Sequence, residues 1–100
     1  MFNLIDALSN RGYDTQYSER EDGSLLVTQS KVYRKEDRVN DKGILNEDFE
    51  VSVTTFLDRD HGIPVNVLAS YSNGKRKYHD YGKRAFNAIR DTVKNNGFEL

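Results

Sequence analysis

Cysteine and tryptophan are absent from this 100-residue chain, proline and methionine occur once each, and the seven glycines are scattered singly. Without cysteine there is no disulfide framework, no thiolate metal site and no cysteine nucleophile, which fits a reducing compartment. Without a clustered glycine loop there is no phosphate cradle, and no Gly-x-Ser-x-Gly nucleophile turn is present. The opening Met1-Phe2-Asn3-Leu4-Ile5-Asp6 has no basic segment ahead of an apolar stretch. No apolar run approaches the ~20 residues of a membrane span. The expectation is a cytoplasmic, unprocessed protein with no membrane partner.

What is present describes a small folded domain. Hydrophobic residues make up 36% of the chain and charged residues 31%, a polar balance, but six tyrosines and five phenylalanines argue against disorder. The length suits one domain over residues 1–100, burying roughly 60 to 65% of the surface that the unfolded chain exposes.

Leu4, Ile5 and Leu8 recur at helical spacing, and Asn10-Arg11-Gly12-Tyr13 supplies a stop, so a short helix is expected over about residues 2–11. Tyr13, Thr15 and Tyr17 then alternate with polar residues up to a turn at Glu21-Asp22-Gly23. The next strand runs from Ser24 to Tyr33; its consecutive Leu25, Leu26 and Val27 suit either two covered faces or a bulge. Residues 34–46 are charged and form a solvated connection, the segment expected to be most mobile.

Phe49, Val51, Val53 and Leu57 mark the core face of the clearest strand, and Ile63, Val65, Val67, Ala69 and Tyr71 repeat the two-residue period after a turn at 58–62. Pro64 belongs at the end of that strand or on an edge. Asn73-Gly74 signals a type I′ hairpin leading into a short strand from Lys75 to Tyr78. A last helix is expected from Asp80 or Tyr81 to Asn96, with Ala85, Phe86, Ile89 and Val93 on its apolar stripe and Gly97-Phe98 as its stop. The fold class is α+β: a two-layer sandwich in which an antiparallel sheet of four or five strands carries the N-terminal and C-terminal helices on one face. The other face is expected to present Tyr, Ser, Thr, Asn and charged residues to water or a partner.

The helix–strands–helix order and Lys83-Arg84-Ala85 at the second helix resemble the double-stranded RNA-binding domain in topology. The long strands, the charged connection and the loop sequences depart from that pattern, and no family is recognised.

The net charge of −1 hides an asymmetry: residues 75–94 hold seven basic side chains (Lys75, Arg76, Lys77, Lys83, Arg84, Arg90, Lys94) against Asp80 and Asp91, a balance of +5 that leaves −6 elsewhere. Lys75, Arg76, Lys77, Lys83, Arg84 and Arg90 are candidate phosphate contacts, with Tyr78 and Tyr81 as stacking groups. The competing interpretation is a basic hairpin tip beside a solvated helix turn. On the acidic side, Asp41, Glu47, Asp48, Glu50, Asp58 and Asp60 form a candidate partner-binding surface that would imitate nucleic-acid phosphates, against a background of ordinary solubilising charge. Asp58, Asp60 and His61 share one turn, but such residues also serve turns for backbone reasons, and no metal is expected. His61 and His79 stand in no catalytic motif.

These features lead to a non-enzymatic binding protein that acts through protein contacts as an inhibitor, adaptor or homo-oligomer. The composition resembles small bacterial or phage accessory proteins. The alternative is nucleic-acid binding through the basic segment. No cofactor and no small-molecule substrate are expected.

Overall fold

The computed structural model describes residues 2–40, 47–60, 64–79 and 82–100. In chain order the elements are helix α1 (Leu4–Ser9), strands β1 (Asp14–Glu19) and β2 (Leu25–Tyr33), a 3₁₀ turn (Lys35–Asp37), strands β3 (Phe49–Leu57), β4 (Pro64–Tyr71) and β5 (Gly74–Tyr78), and helix α2 (Lys83–Asn95). The strands form one five-stranded antiparallel sheet in the order β1-β2-β3-β4-β5. The chain is therefore a small α+β fold.

Period-two alternation decides which side chains are buried. Because paired residues of neighbouring strands point to the same face, Val27, Thr55 and Val67 form one row and Gln29, Val53 and Ala69 the next. All six are fully buried. The hydrophobic cluster joins Val51, Val53, Val67 and Ala69 to Leu4 and Leu8 of α1 and to Ala85, Phe86, Ile89 and Val93 of α2. The core strip of α2 matches the apolar stripe in its sequence. The helices also touch each other, with the Phe2 and Phe86 rings 5.4 Å apart and the Arg11 guanidinium 4.8 Å from the Phe86 centroid.

Both helices stop in the same way. Tyr13 N donates to Leu8 O and Gly12 N to Ser9 O, while Phe98 N donates to Val93 O and Gly97 N to Lys94 O. Gly12 and Gly97 adopt φ of 87° and 91°, a region costly for any residue with a Cβ. The turn sends the following aromatic inward, so that Tyr13 and Phe98 are buried.

One polar residue fastens α1 to the sheet. Gln29 is fully buried; the two hydrogens of its Nε2 are shared among Ile5 O at 2.8 Å, Thr15 Oγ1 at 3.0 Å and Ser9 Oγ at 3.1 Å, while its Oε1 is buried without a hydrogen-bond partner. Ser9 and Thr15 share a further hydrogen bond of 2.8 Å.

The structure corrects several expectations. Helix α1 is shorter than residues 2–11 because Asn3 caps it, its side chain accepting from Asp6 N. Strand β2 has no bulge: its register with both neighbours is continuous, and Leu25 is partly exposed at its start. The bulge lies in β4, where Leu57 pairs with Pro64 and Phe56 with Asn66, leaving Val65 as an extra residue turned towards solvent. Tyr17 also faces solvent, at the sheet edge.

The β4–β5 turn is not type I′. Tyr71 pairs with Gly74, the loop is Ser72-Asn73, and no non-glycine residue among those described has positive φ. Helix α2 is capped by Gly82, and the proposed cap residues Asp80 and Tyr81 lie outside the described residues, as does Ile63. Of the charged connection, residues 41–46 lie outside the described residues; within 34–40, Lys35 N donates to Asp48, Val39 N donates to Gly97 O, and Arg38 donates to Asn96 O while lying over the Phe98 ring.

Two substitutions test this account of the core by urea denaturation. Gln29→Ala removes both the fastening of α1 and buried volume, with an expected loss of about 3 kcal/mol. Thr55 Oγ1 is buried with no hydrogen-bond partner; Thr55→Val replaces it with a methyl group and should raise stability by about 1 kcal/mol.

Candidate functional site

Strand β5 divides its basic residues between the two faces of the sheet. In β5, Lys75 and Lys77 lie on one face of the sheet and Arg76 on the other, since Lys75 pairs with Ser70, Arg76 with Ala69 and Lys77 with Leu68. Lys83 and Arg84 are exposed in the first turn of α2, which contains no acidic residue. Cations there oppose the helix dipole. Arg90 lies two turns further on, its Nη2 3.6 Å from Asp91 Oδ1. Tyr78 is half-buried against the core and shares a 3.4 Å hydrogen bond with Tyr71, so its ring is committed to packing. Tyr81 lies outside the described residues.

The acidic residues divide between the two ends of β3. Glu47 and Asp48 precede the strand and Glu50 is near its start, whereas Asp58 and Asp60 follow its end. A nine-residue strand separates its ends by about 30 Å. Asp48 is occupied locally, 3.3 Å from Arg34 and accepting from Lys35 N, and this lowers its pKa. Asp60 lies 3.6 Å from Arg59. Asp41 and His61 lie outside the described residues; among those described, no three His, Asp or Glu side chains are grouped as metal ligands. His79 is exposed.

What the strands do assemble is a continuous outward face. Read across the sheet from β1 to β5, one row is Asp14-Ser30-Ser52-Ser70-Lys75 and the next Gln16-Thr28-Thr54-Leu68-Lys77. Beyond them come Ser18-Leu26-Phe56-Asn66 on one side and the Val32–Glu50 pair on the other. None of these side chains belongs to the hydrophobic cluster shared with the helices. The middle of the face is half-buried, whereas Asp14, Gln16, Val32, Glu50, Lys75 and Lys77 at its margins are exposed. The tyrosines expected here are absent: Tyr17, Tyr33, Tyr71 and Tyr78 share the core-side register, and Phe56 is the aromatic residue of the outward rows. Arg20 lies over the Phe56 ring at 6.0 Å.

A second feature, beside the helix ends, joins residues distant in sequence. Arg11, Phe86, Arg90, Lys94, Glu99 and Leu100 line an open cleft of ≈ 320 Å³. Arg90 Nε is buried there without a hydrogen-bond partner. Only Arg90 of this set was marked by the sequence pattern as a candidate site residue; Arg11 joins it through helix packing. No helix among the described residues is long and apolar enough to cross a membrane.

With this geometry in hand, comparison with known proteins yields no match to a protein-family model, to a curated protein or to a solved structure.

Among the described residues, the phenols of Tyr13, Tyr33 and Tyr71 are held within the fold. Tyr13 and Tyr33 share a 2.8 Å hydrogen bond. Burial raises both pKa values, and for Tyr13 the bond to Tyr33 adds to the rise. Tyr71 is likewise raised, by burial first and then by its bond to Tyr78. A phenol with a raised folded-state pKa contributes stability that is fully present below about pH 10 and is lost as the pH rises beyond that value. In a spectrophotometric titration these three tyrosines should remain protonated above pH 10 and ionise together with alkaline unfolding. Normal titration of all of them in a folded chain would contradict the buried pairing.

Proposed function

We propose that this chain is a non-enzymatic binding domain that acts through protein contacts, as an inhibitor, adaptor or homo-oligomer in the cytoplasm. In this reading the fold is a two-layer sandwich with both helices on one side of the sheet, and the outward face is the contact surface. The observation that carries it is the composition of that face: Leu26, Phe56 and Leu68 are half-buried among threonines and serines, Val32 is exposed at the opposite end, and no side chain of the face joins the core cluster shared with the helices. A sheet face with apolar side chains towards one end, serines and threonines across its middle and charges at its edges has the mixed composition of a non-obligate protein interface.

A second reading, nucleic-acid binding, draws on Lys83 and Arg84 at the start of α2 and on Lys75 and Lys77 side by side on β5. It is weaker because Tyr78 is committed to the core and Arg76 and Arg90 point elsewhere.

Capture from cell lysate on the immobilised chain separates the two readings. Bound proteins should be lost with Leu68→Glu, which circular dichroism should show to be folded, and retained with Lys83→Glu/Arg84→Glu. Anisotropy titrations with labelled DNA and RNA should show no tight binding at physiological salt. Affinity that falls steeply with salt and disappears in the Lys83→Glu/Arg84→Glu variant would replace the protein-contact reading.

A further inference from the structure

The outward face is charged unevenly across the sheet. Its β1 edge carries Asp14, and its β5 edge carries Lys75 and Lys77. Between Asp14 and Lys75 in the same row lie only the small side chains of Ser30, Ser52 and Ser70. Two such faces packed against each other with aligned strands can be related by a twofold axis in one of two directions. An axis running across the strands places β5 over β5, bringing Lys75 and Lys77 against their own copies. An axis running along the strands at β3 places β1 of one copy over β5 of the other, with Asp14 facing Lys75 and Gln16 facing Lys77. Charge complementarity selects the second arrangement.

From this we infer that the occupant of the outward face is a second copy of this chain, stacked face to face about a twofold axis parallel to β3. The inference rests on the reading of that face as the contact surface. The serine row lets the two sheets approach, Thr54 meets Thr54 and Phe56 meets Phe56 near the axis, and Leu26 lies over Asn66 and Leu68 over Thr28 of the other copy. Five strands about 4.8 Å apart and seven residues long give a face on the order of 450 Å² in projection. That is the size of a small interface. Glu50 approaches its own copy at the exposed end of β3, a repulsion that the two symmetry-related Asp14–Lys75 pairs offset.

The arrangement predicts a charge-swap result. Within one molecule, Asp14 and Lys75 are four strand spacings apart, about 19 Å, so they form no direct pair. Sizing with light scattering at near-physiological salt should show a dimer for the unmodified chain. Asp14→Lys and Lys75→Glu, each alone, should weaken it about tenfold or more. The double variant Asp14→Lys/Lys75→Glu should restore it to within about threefold of the original. Both positions are exposed at sheet edges, and circular dichroism checks that each variant is folded.

A chain that stays monomeric at high micromolar concentration overturns the inference, as does a dimer indifferent to both single swaps or not restored by the double one. If such a monomer still captures proteins in a Leu68-dependent way, the contact-surface reading stands without the second copy. If it captures none, both fall.

Discussion

The continuous pairing of β2, β3 and β4 is the constraint on which the rest of the structure depends. Within Val27–Tyr33, Phe49–Thr55 and Val67–Tyr71 the three strands pair without a slipped residue. A one-residue slip would turn Val51, Val53 and Val67 to solvent and bring Ser52, Thr54 and Leu68 inward. The helices have somewhere to bury their apolar sides only because this register holds. The bulge at Val65 occurs at the sheet end, past the last row of the core, so it redirects one side chain without disturbing the rows that α1 and α2 depend on.

The two helices solve a common problem with the same local chemistry. Each must stop abruptly and return the chain to the core, and each does so with a glycine of positive φ followed by a buried aromatic. Tyr13 and Phe98 then converge on Tyr33, with Tyr33 and Phe98 centroids 5.5 Å apart and Tyr13 and Tyr33 centroids 6.3 Å apart. The stop signals of the helices are thus also packing elements of the core. Arg38 over Phe98 and the Val39–Gly97 hydrogen bond extend that cluster to the connection between β2 and β3.

Much of the fold was legible because it rests on local chemistry. Alternation in 49–57 and 67–71, the helical stripe of 85–93 and the glycine–aromatic stops depend on near neighbours in sequence. What was not legible depends on pairing or on distant contacts. Gln29 interrupts an apolar row and reads as polar, yet it is buried because α1 brings Ile5 O and Ser9 Oγ to its amide. Val65 fits a strict period-two pattern, and only the pairing of Pro64 and Asn66 with β3 reveals it as the extra residue. The candidate site was legible in part: the outward face was foreseen as polar and charged, but its tyrosines were misplaced because core packing reaches to the sheet edge and takes up Tyr71 and Tyr78. The acidic residues look clustered along the chain and are parted in space by the length of β3.

The order of the sheet has a kinetic consequence. Every strand pairs with its neighbour in sequence, so the ladders can form hairpin by hairpin, the longest closure being the 34–48 connection between β2 and β3. The contact of Phe2 with Phe86 of α2, in contrast, requires nearly the whole chain. The core cluster sets Val51, Val53, Val67 and Ala69 together with Phe86, Ile89 and Val93, so a chain whose α2 is undocked bares an apolar sheet face open to aggregation.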